Sequence, residues 1–150
     1  KIPTTECPVL FESPAAAGLL GAYVQAVSGA SQYRKSTFLH GALGQTVFPR
    51  HIQIDEDPFI LRGKGSCPFD DEGVRVKPLS IVADGRVETY FLSSYSARKL
   101  GLRTTGHSGG SHNLTLRSTR TQAGDDLEAM FRKMGRGLFV TDLMGQGVKA

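Results

Sequence analysis

The chain of 150 residues has an ordinary composition, with 39% hydrophobic and 21% charged residues and a formal net charge of +4 at pH 7. This length suits one domain with a modest core. No run approaches the roughly 18 apolar residues that span a bilayer, so no transmembrane helix is predicted. The two cysteines, Cys7 and Cys67, are too few for a disulfide framework and lack metal-site spacing, which favours a reduced, cytoplasmic setting.

The first third of the chain predicts a strand, a helix and a second strand. Residues 6–11 form a short β-rich run, after which Ser13 is a good N-cap and Pro14 suits the first helical position. Gly29 is placed to end this helix. Residues 51–55 alternate as a half-buried strand does. The helix should bury most of an apolar stripe made of Leu19, Leu20, Tyr23, Val24 and Val27.

The clearest hairpin is predicted within residues 74–92. Two β-rich runs flank Asp84-Gly85, a pair that favours the tight primed turn of a hairpin. Pro78 in the first run indicates an edge position or a bulge. A short helical run follows at residues 96–100 and is stopped by Gly101, and residues 112–117 alternate as a returning strand would.

A second amphipathic helix follows, which Asp125 can cap and Gly135 can end. Residues 138–140 then predict a buried strand. Antiparallel hairpins mixed with helices indicate an α+β fold, and not a parallel βαβ series. We expect a single domain over residues 1–150, with an antiparallel, hairpin-rich twisted sheet and two amphipathic helices.

Charge is unevenly distributed along the chain. Residues 89–124 contain no Asp or Glu, yet they include Arg98, Lys99, Arg103, Arg117 and Arg120. Such a segment attracts an acidic partner, a peptide carboxylate or a nucleic-acid phosphate. A solvated basic face is the structural alternative.

The centre of this basic segment is a glycine-rich loop, residues 104–113. Its glycines permit close approach of a partner and positive φ, and its two histidines supply donors, acceptors and charge near neutral pH. A tight, solvated turn is the alternative. The predicted peptide- or partner-binding residues come from this loop and from the short helical run at residues 96–100. They are Ser96, Arg98, Thr105, Gly106, His107, Ser108, Gly109, Gly110, His112 and Asn113.

Enzymatic alternatives are weaker on the residues alone. His107 and His112 have no Cys or carboxylate near them in sequence, whereas a transition-metal site usually needs three or four ligands. A serine nucleophile would need a base and an orienting third group, and a reactive Cys67 would need a lowered pKa. The loop also lacks the ending of a phosphate-binding P-loop. We therefore predict no catalytic residue and no metal ligand, and favour recognition of an extended peptide against a sheet edge.

Several blocks of the chain resemble one known family. SSYSARKLGL, TTGHSGG and HN are similar to the signature of the PmbA family, also called TldE, of the TldD/PmbA proteins. CPVLFESPAAAGLLGAYVQAVSGASQYRKSTFL, CPFDDEGVR and GLFVTDLMGQGV resemble the same family in the same order. The resemblance covers nearly all of the chain. It implies an internal fragment, part of the C-terminal region of a longer PmbA-like chain.

The resemblance also implies a role. TldD proteins, the catalytic relatives, resemble zinc metallopeptidases that admit unfolded or extended peptides, and their zinc motif is His-Glu-x-x-x-His on the first helix. If Tyr33-Arg34-Lys35 anchors the comparison, the three motif positions fall at Gly21, Ala22 and Ala26, which cannot bind zinc. This implies a non-catalytic subunit without its own cofactor, paired with a zinc-bearing TldD-like partner.

The family is linked with maturation of a peptide antibiotic, degradation of an antitoxin and modulation of DNA gyrase. The rival hypothesis is therefore a gyrase modulator or nucleic-acid-binding regulator. No recognised nucleic-acid module is visible, and aromatic residues are not interleaved with the basic cluster, so DNA is disfavoured as a partner. Self-association through an exposed sheet edge is a further expectation.

Overall fold

The computed structural model describes residues 3–143 and confirms an α+β fold with an antiparallel four-stranded sheet. The elements follow one another as β1 (Val9–Phe11), α1 (Ser13–Ala26), α2 (Gly29–Tyr33), β2 (Ile52–Glu56), β3 (Leu79–Ala83), β4 (Arg86–Val87), α3 (Ser94–Leu100), β5 (Leu114–Ser118), α4 (Leu127–Met134) and β6 (Leu138–Val140). The MGQGV block at residues 144–148 lies outside the described residues.

The described chain divides into two compact units, the first made of residues 3–22 and 121–143. In this unit β1 pairs with β6 in parallel, and Val9 lies opposite Leu138. Both strands were predicted, but their parallel pairing was not. Phe131 of α4 packs edge-on against Phe139 of β6, with ring centroids 5.0 Å apart. The cap of α4 is Asp126, whose side chain accepts a hydrogen bond from the Ala129 N–H, and not Asp125 as predicted.

The second unit comprises residues 23–120 and contains the four-stranded sheet, in the order β4-β3-β2-β5. The predicted hairpin is confirmed as β3 and β4, with the Asp84-Gly85 turn at φ 49° and 74°. Pro78 lies just before β3, which is an interior strand, so the edge position is wrong as one of the two predicted alternatives; the β2–β3 ladder does have an irregularity, between Ile54 and Asp55. The most deeply buried apolar residues of this unit are Val27, Ile54, Val76, Ile81, Val82 and Val87.

Helix boundaries differ from prediction at Ser13 and Gly29. The carbonyl of Glu12 accepts a hydrogen bond from Ala16 N–H at 2.9 Å, so α1 begins one residue earlier than a Ser13 cap implies. Gly29 does not end α1 but opens α2, for which Ser28 is the N-cap. The apolar stripe is only partly core, because Tyr23 is buried while Leu19 is 47% exposed.

The short helix before the glycine-rich loop is confirmed as α3. Its N-cap is Ser93, which accepts a hydrogen bond from the Ser96 N–H at 3.2 Å, and Gly101 ends it in the left-handed region at φ 67°. The Gly101 stop was predicted because this signal acts within one helical turn, whereas the helix begins two residues before the predicted start at Ser96.

Candidate functional site

A buried carboxylate lies beneath the glycine-rich loop. Glu56 is the last residue of β2, and the alternation of the strand places it on the same face as the buried Ile54. It is only 1% exposed. Its Oε2 lies 2.6 Å from His107 Nε2, within hydrogen-bonding distance, and the His107 side chain is 1% exposed. The end of β2 and the loop are therefore joined through a buried acid–imidazole pair.

His112 approaches the same carboxylate from the other end of the loop. Its backbone N–H donates to Glu56 Oε1 at 2.6 Å. Its ring Nδ1 lies 3.3 Å from Glu56 Oε2 but makes no hydrogen bond, although the side chain is only 7% exposed. The Glu56 carboxylate thus lies against both histidines of the loop, and the buried Nδ1 of His112 has no hydrogen-bond partner.

The His107 ring is fixed from behind. Its Nδ1 shares a 2.8 Å hydrogen bond with Thr105 Oγ1, which itself accepts the Leu92 N–H at 2.8 Å. The edge of the Phe91 ring packs on the imidazole, with centroids 4.8 Å apart. These contacts leave the imidazole one orientation, with Nε2 directed at Glu56.

The electrostatics of the cluster favour an ionised Glu56. Burial alone would raise the pKa of its carboxyl, but the hydrogen bond and charge from His107, together with the hydrogen bond from the His112 backbone N–H, hold the pKa below its usual value. A negative charge is therefore kept in the interior and shared by the two imidazoles.

A second carboxylate anchors the middle of the loop. Asp70 is 6% exposed, and its Oδ1 accepts the N–H groups of Glu72 and Val74, each at 2.9 Å. Its Oδ2 accepts the Ser108 N–H at 3.0 Å. Burial would raise the pKa of Asp70, but these three backbone N–H groups and the nearby His107 lower it. The loop at residues 70–74 and the glycine-rich loop therefore form one hydrogen-bonded structure.

A cavity of about 230 Å³ opens where these two loops meet. It is lined by residues 64–67, 69–71 and 108–112, which include Cys67 and His112. At Gly109 a Cβ atom would overlap the Asp71 carboxylate, so close approach of the two loops requires glycine there. The cavity is smaller than most small-molecule pockets, which enclose about 300–1,000 Å³.

The last predicted site residue of the loop, Asn113, fixes the other wall. Its Oδ1 accepts the Gly65 N–H at 2.9 Å, and its Nδ2 donates to Asp57 O and Ser66 Oγ, each at 2.8 Å. Asn113 therefore shapes the wall through residues 63–66, and its side-chain amide is already engaged by the protein.

The structure does not bring every predicted site residue to the cavity. Thr105, Gly106 and His107 are not among the residues that line it. Ser96 is 4% exposed and contacts Gly29 and Ser93, so it packs α3 and does not face the cavity. Arg98 is exposed on α3 and is not among the residues that line the cavity.

Glu56 and Asp70 were missed by sequence reasoning. Residues 52–56 alternate with Ile52 and Ile54 on one face, so a carboxylate at position 56 continues an apolar face. Buried carboxylates are unfavourable unless they are paired. An acidic residue on an apolar strand face was therefore the available signal for Glu56.

The zinc motif implied by the resemblance does not fit this chain. The α1 sequence SPAAAGLLGAYVQA contains no His, Cys, Asp or Glu, and the comparison anchored at Tyr33-Arg34-Lys35 sets Gly21, Ala22 and Ala26 near the motif positions. These residues offer no side-chain donor to an ion, so no reaction step can be assigned to metal on α1.

The comparisons with known proteins agree with this architecture. The family model of the PmbA/TldA metallopeptidase C-terminal domain matches residues 4–150. The chain is 48% identical over 150 residues to Metalloprotease PmbA of Escherichia coli O157:H7 and 47% identical over 148 residues to a PmbA homolog of Haemophilus influenzae. It matches 100% and 99% of its own length in these cases, but it spans about a third (32%) of each relative.

Solved structures show the same fold. A proposed modulator of a DNA gyrase from Thermotoga maritima aligns over 96% of this chain and 34% of its own, with a TM-score of 0.81 and 29% identity. TldE from Thermococcus kodakarensis aligns over 93% of this chain and 33% of its own, with a TM-score of 0.75 and 26% identity. These matches define a metallopeptidase-family C-terminal domain. The chain belongs to the PmbA/TldD family.

A bilayer-spanning helix, judged by length and apolar character, is not found within residues 3–143.

Proposed function

We propose that this chain is part of a non-catalytic, PmbA-type subunit of a TldD-type zinc metalloprotease complex that acts on unfolded or extended peptides in the cytoplasm. The zinc of the peptidase reaction belongs to the TldD-like partner, with which this subunit forms a heterodimer. Residues 1–150 act as one domain of the C-terminal region of the longer chain. The corresponding processes are peptide maturation and antitoxin degradation.

One observation carries the assignment of a non-catalytic role. Helix α1 offers no His, Cys, Asp or Glu at the positions where a zinc peptidase of this family would hold its metal and general base. The family name supports the connection with proteolysis, because the relatives from Escherichia coli and Haemophilus influenzae are both named as metalloproteases. A division of labour between two chains reconciles these two facts.

Peptide contact is assigned to the cavity between residues 64–71 and 108–112. Its walls are held by Asp70 and Asn113, so the surface is preformed and little ordering is needed on binding. Phe69, which lines the first wall, is 59% exposed, and Phe59, which is close to that wall in sequence, is 51% exposed. A peptide with apolar side chains in extended form fits these features.

The subunit assignment is tested by peptidase activity on an unfolded peptide. The full-length chain is assayed alone, its TldD-like partner is assayed alone, and the two are then mixed. We expect the mixture to exceed the sum of the separate activities, while this chain alone gives none. Activity of this chain alone at the level of the mixture would overturn the non-catalytic role.

The peptide-binding assignment is tested at Cys67, which lines the cavity and is half-buried. Cys67→Trp should fill the cavity and weaken peptide binding by the complex, whereas Cys67→Ser should leave it unchanged. Cys7→Trp, at an exposed cysteine, is the matched control. Equal peptide affinity in Cys67→Trp and Cys7→Trp, measured by calorimetry, would place peptide contact elsewhere.

A gyrase modulator or nucleic-acid-binding regulator is the second candidate. The Thermotoga maritima relative is described as a proposed modulator of a DNA gyrase, and exposed basic residues such as Arg98, Lys99 and Arg103 remain available. A DNA-binding role would show as affinity that falls steeply with salt, because bound phosphates release counterions. Binding to duplex DNA that is undetectable at low salt would remove this candidate.

A further inference from the structure

We propose that Glu56, His107 and His112 form a site for one divalent transition-metal ion, preferably zinc, which ties the glycine-rich loop to the end of β2. This departs from our sequence-based prediction that the chain holds no metal ligand. It also goes beyond the proposed function, because it gives a metal to the subunit that lacks the peptidase zinc. The α1 helix takes no part in it.

The donor set is chemically suited to zinc. One ligand atom from each of the three residues can be chosen so that all three lie within 4.8 Å of one another. Two imidazole nitrogens and one carboxylate oxygen are a known zinc set, with a fourth position left for water or another group. His112 also lines the adjoining cavity, which is the side from which the fourth ligand would come.

The His112 ring is the observation that points most directly to a bound cation. Its Nδ1 is buried, has no hydrogen-bond partner and lies 3.3 Å from Glu56 Oε2. Two zinc ligands at bond lengths of about 2.0 Å and a tetrahedral angle would lie roughly 3.3 Å apart. In the tautomer that carries its lone pair on Nδ1, this contact with a carboxylate oxygen is repulsive, and a cation between the two atoms makes it favourable for both.

The surrounding hydrogen bonds orient the ligands as metal ligands usually are. Metal-bound histidines commonly donate their second ring N–H to an oxygen, which fixes the tautomer. His107 Nδ1 lies 2.8 Å from Thr105 Oγ1, which can accept this hydrogen bond. The Thr105 hydroxyl can in turn donate a hydrogen bond to Tyr90 O at 3.0 Å. Glu56 Oε1 is held by the His112 N–H.

Metal binding changes the proton count of the cluster. The ion replaces the proton that His107 Nε2 and Glu56 Oε2 share. These two atoms are 2.6 Å apart and must then move apart toward the distance between two ligands of one ion. The released proton leaves to solvent, and no oxidation or reduction is involved. Because the side chains are at most 7% exposed, the role that we assign to the ion is to stabilise the loop.

The site is tested on the tag-free, full-length chain produced without its TldD-like partner. We expect elemental analysis to find about one zinc ion per chain. After removal of metal with a chelator, added Co²⁺ should give visible d–d absorption of a tetrahedral site, and Zn²⁺ should slow amide exchange in residues 104–113. Wild-type chain that shows neither Co²⁺ absorption nor Zn²⁺-dependent protection would mean that the cluster is held by protons alone, and the proposal would fail.

Variants locate the ion. Glu56→Gln and His112→Asn keep similar size but lose a good ligand, and each should weaken Zn²⁺ affinity by at least the ~10- to 100-fold that loss of an outer partner costs. His40→Asn, at an exposed histidine, is the control and should bind as wild type does. Unchanged affinity in both ligand variants would place the ion elsewhere and overturn the proposal, while the mixing experiment on peptidase activity would stand independently. If the ligand variants do not fold, the wild-type Co²⁺ and exchange measurements still decide.

Discussion

The backbone of Ser108 is hydrogen-bonded to two consecutive residues, Asp70 and Asp71. Asp70 Oδ2 accepts the Ser108 N–H at 3.0 Å, and the next residue, Asp71, donates its N–H to Ser108 O at 3.1 Å. The two loops that line the cavity are thereby fastened at one point. Loop residues usually tolerate change, but these positions should not.

Asp70→Asn should loosen the glycine-rich loop. The asparagine oxygen can replace only part of the carboxylate, so an amide N–H group is left without an acceptor, at a cost of about 1–3 kcal/mol. Amide exchange in residues 104–113 of the full-length chain should accelerate by roughly 5- to 150-fold. Asp71→Asn is the matched control, because Asp71 is exposed and joins Ser108 through its backbone. Equal protection in the two variants would contradict the anchoring role.

The same carboxyl group predicts an acid-sensitive step. The folded pKa of Asp70 lies below the unfolded value of about 3.9. Its contribution to stability is therefore complete above the unfolded pKa and is lost as pH falls through the folded pKa. Between pH 7 and 5, the thermal midpoint of wild type should exceed that of Asp70→Asn by a constant amount. The difference should shrink below about pH 4, and a difference that persists at low pH would argue against it.

Gly29 should resist substitution although it lies in an ordinary helical position. A Cβ atom there would overlap Ser96 Cβ and Oγ and touch Leu92 Cδ2, so Gly29→Ala should cost about 1–3 kcal/mol through overpacking of α2 on α3. Gly21→Ala is the comparison. Position 21 has no heavy atom within 4 Å of an added Cβ, and alanine should stabilise α1 by about 0.5–1 kcal/mol.

Opposite shifts of the thermal unfolding midpoint in these two glycine variants would support the helix contact. A lowered midpoint in both, or in neither, would mean that α2 and α3 are not packed as closely as the structure has them.

Gln32 should be needed for the segment that follows α2. The side chain is 1% exposed, its Nε2 donates to Ala26 O and Leu39 O at 3.0 Å, and its Oε1 accepts the Gly41 N–H at 3.2 Å. Gln32→Met keeps the size but leaves these groups unpaired, so the free energy of unfolding should fall by about 1–3 kcal/mol. It can be measured by urea denaturation.

Gln45→Met is the control for Gln32. Gln45 makes a side-chain hydrogen bond to Gly41 O at an exposed position, so its loss should change stability by less than about 0.5 kcal/mol. Similar effects at both positions would show that burial of Gln32 does not matter.

Local signals explain what the sequence could predict of the fold. Gly101 ends α3 as expected, and Asp84-Gly85 forms the expected turn, because cap and turn preferences act within a few residues. Gly29 was misassigned for the opposite reason. Its small size serves contact with Ser96, which is distant in sequence, and not the end of α1.

The candidate site was only half predictable. The glycine-rich loop and its histidines were identified from residues 104–113. Glu56 was not, because it lies 51 positions before His107, at the end of β2. Only the sheet register brings the end of β2 to the loop, since Glu56 lies opposite Leu114 of β5. Pairing of β1 with β6 was missed in the same way, because no local pattern states which distant strand a strand will join.

The β1–β6 pairing also determines how long β1 waits for its partner strand during synthesis. Val9 pairs with Leu138, so β1 leaves the ribosome roughly 130 residues ahead of its partner strand. At ordinary translation rates this delay is on the order of ten seconds. Within residues 3–143 β1 has no other ladder partner, and its length of three residues limits the hydrogen bonds that a neighbouring nascent chain could form with it. A longer β1 would strengthen the finished sheet but would expose a stickier edge while the chain is being made.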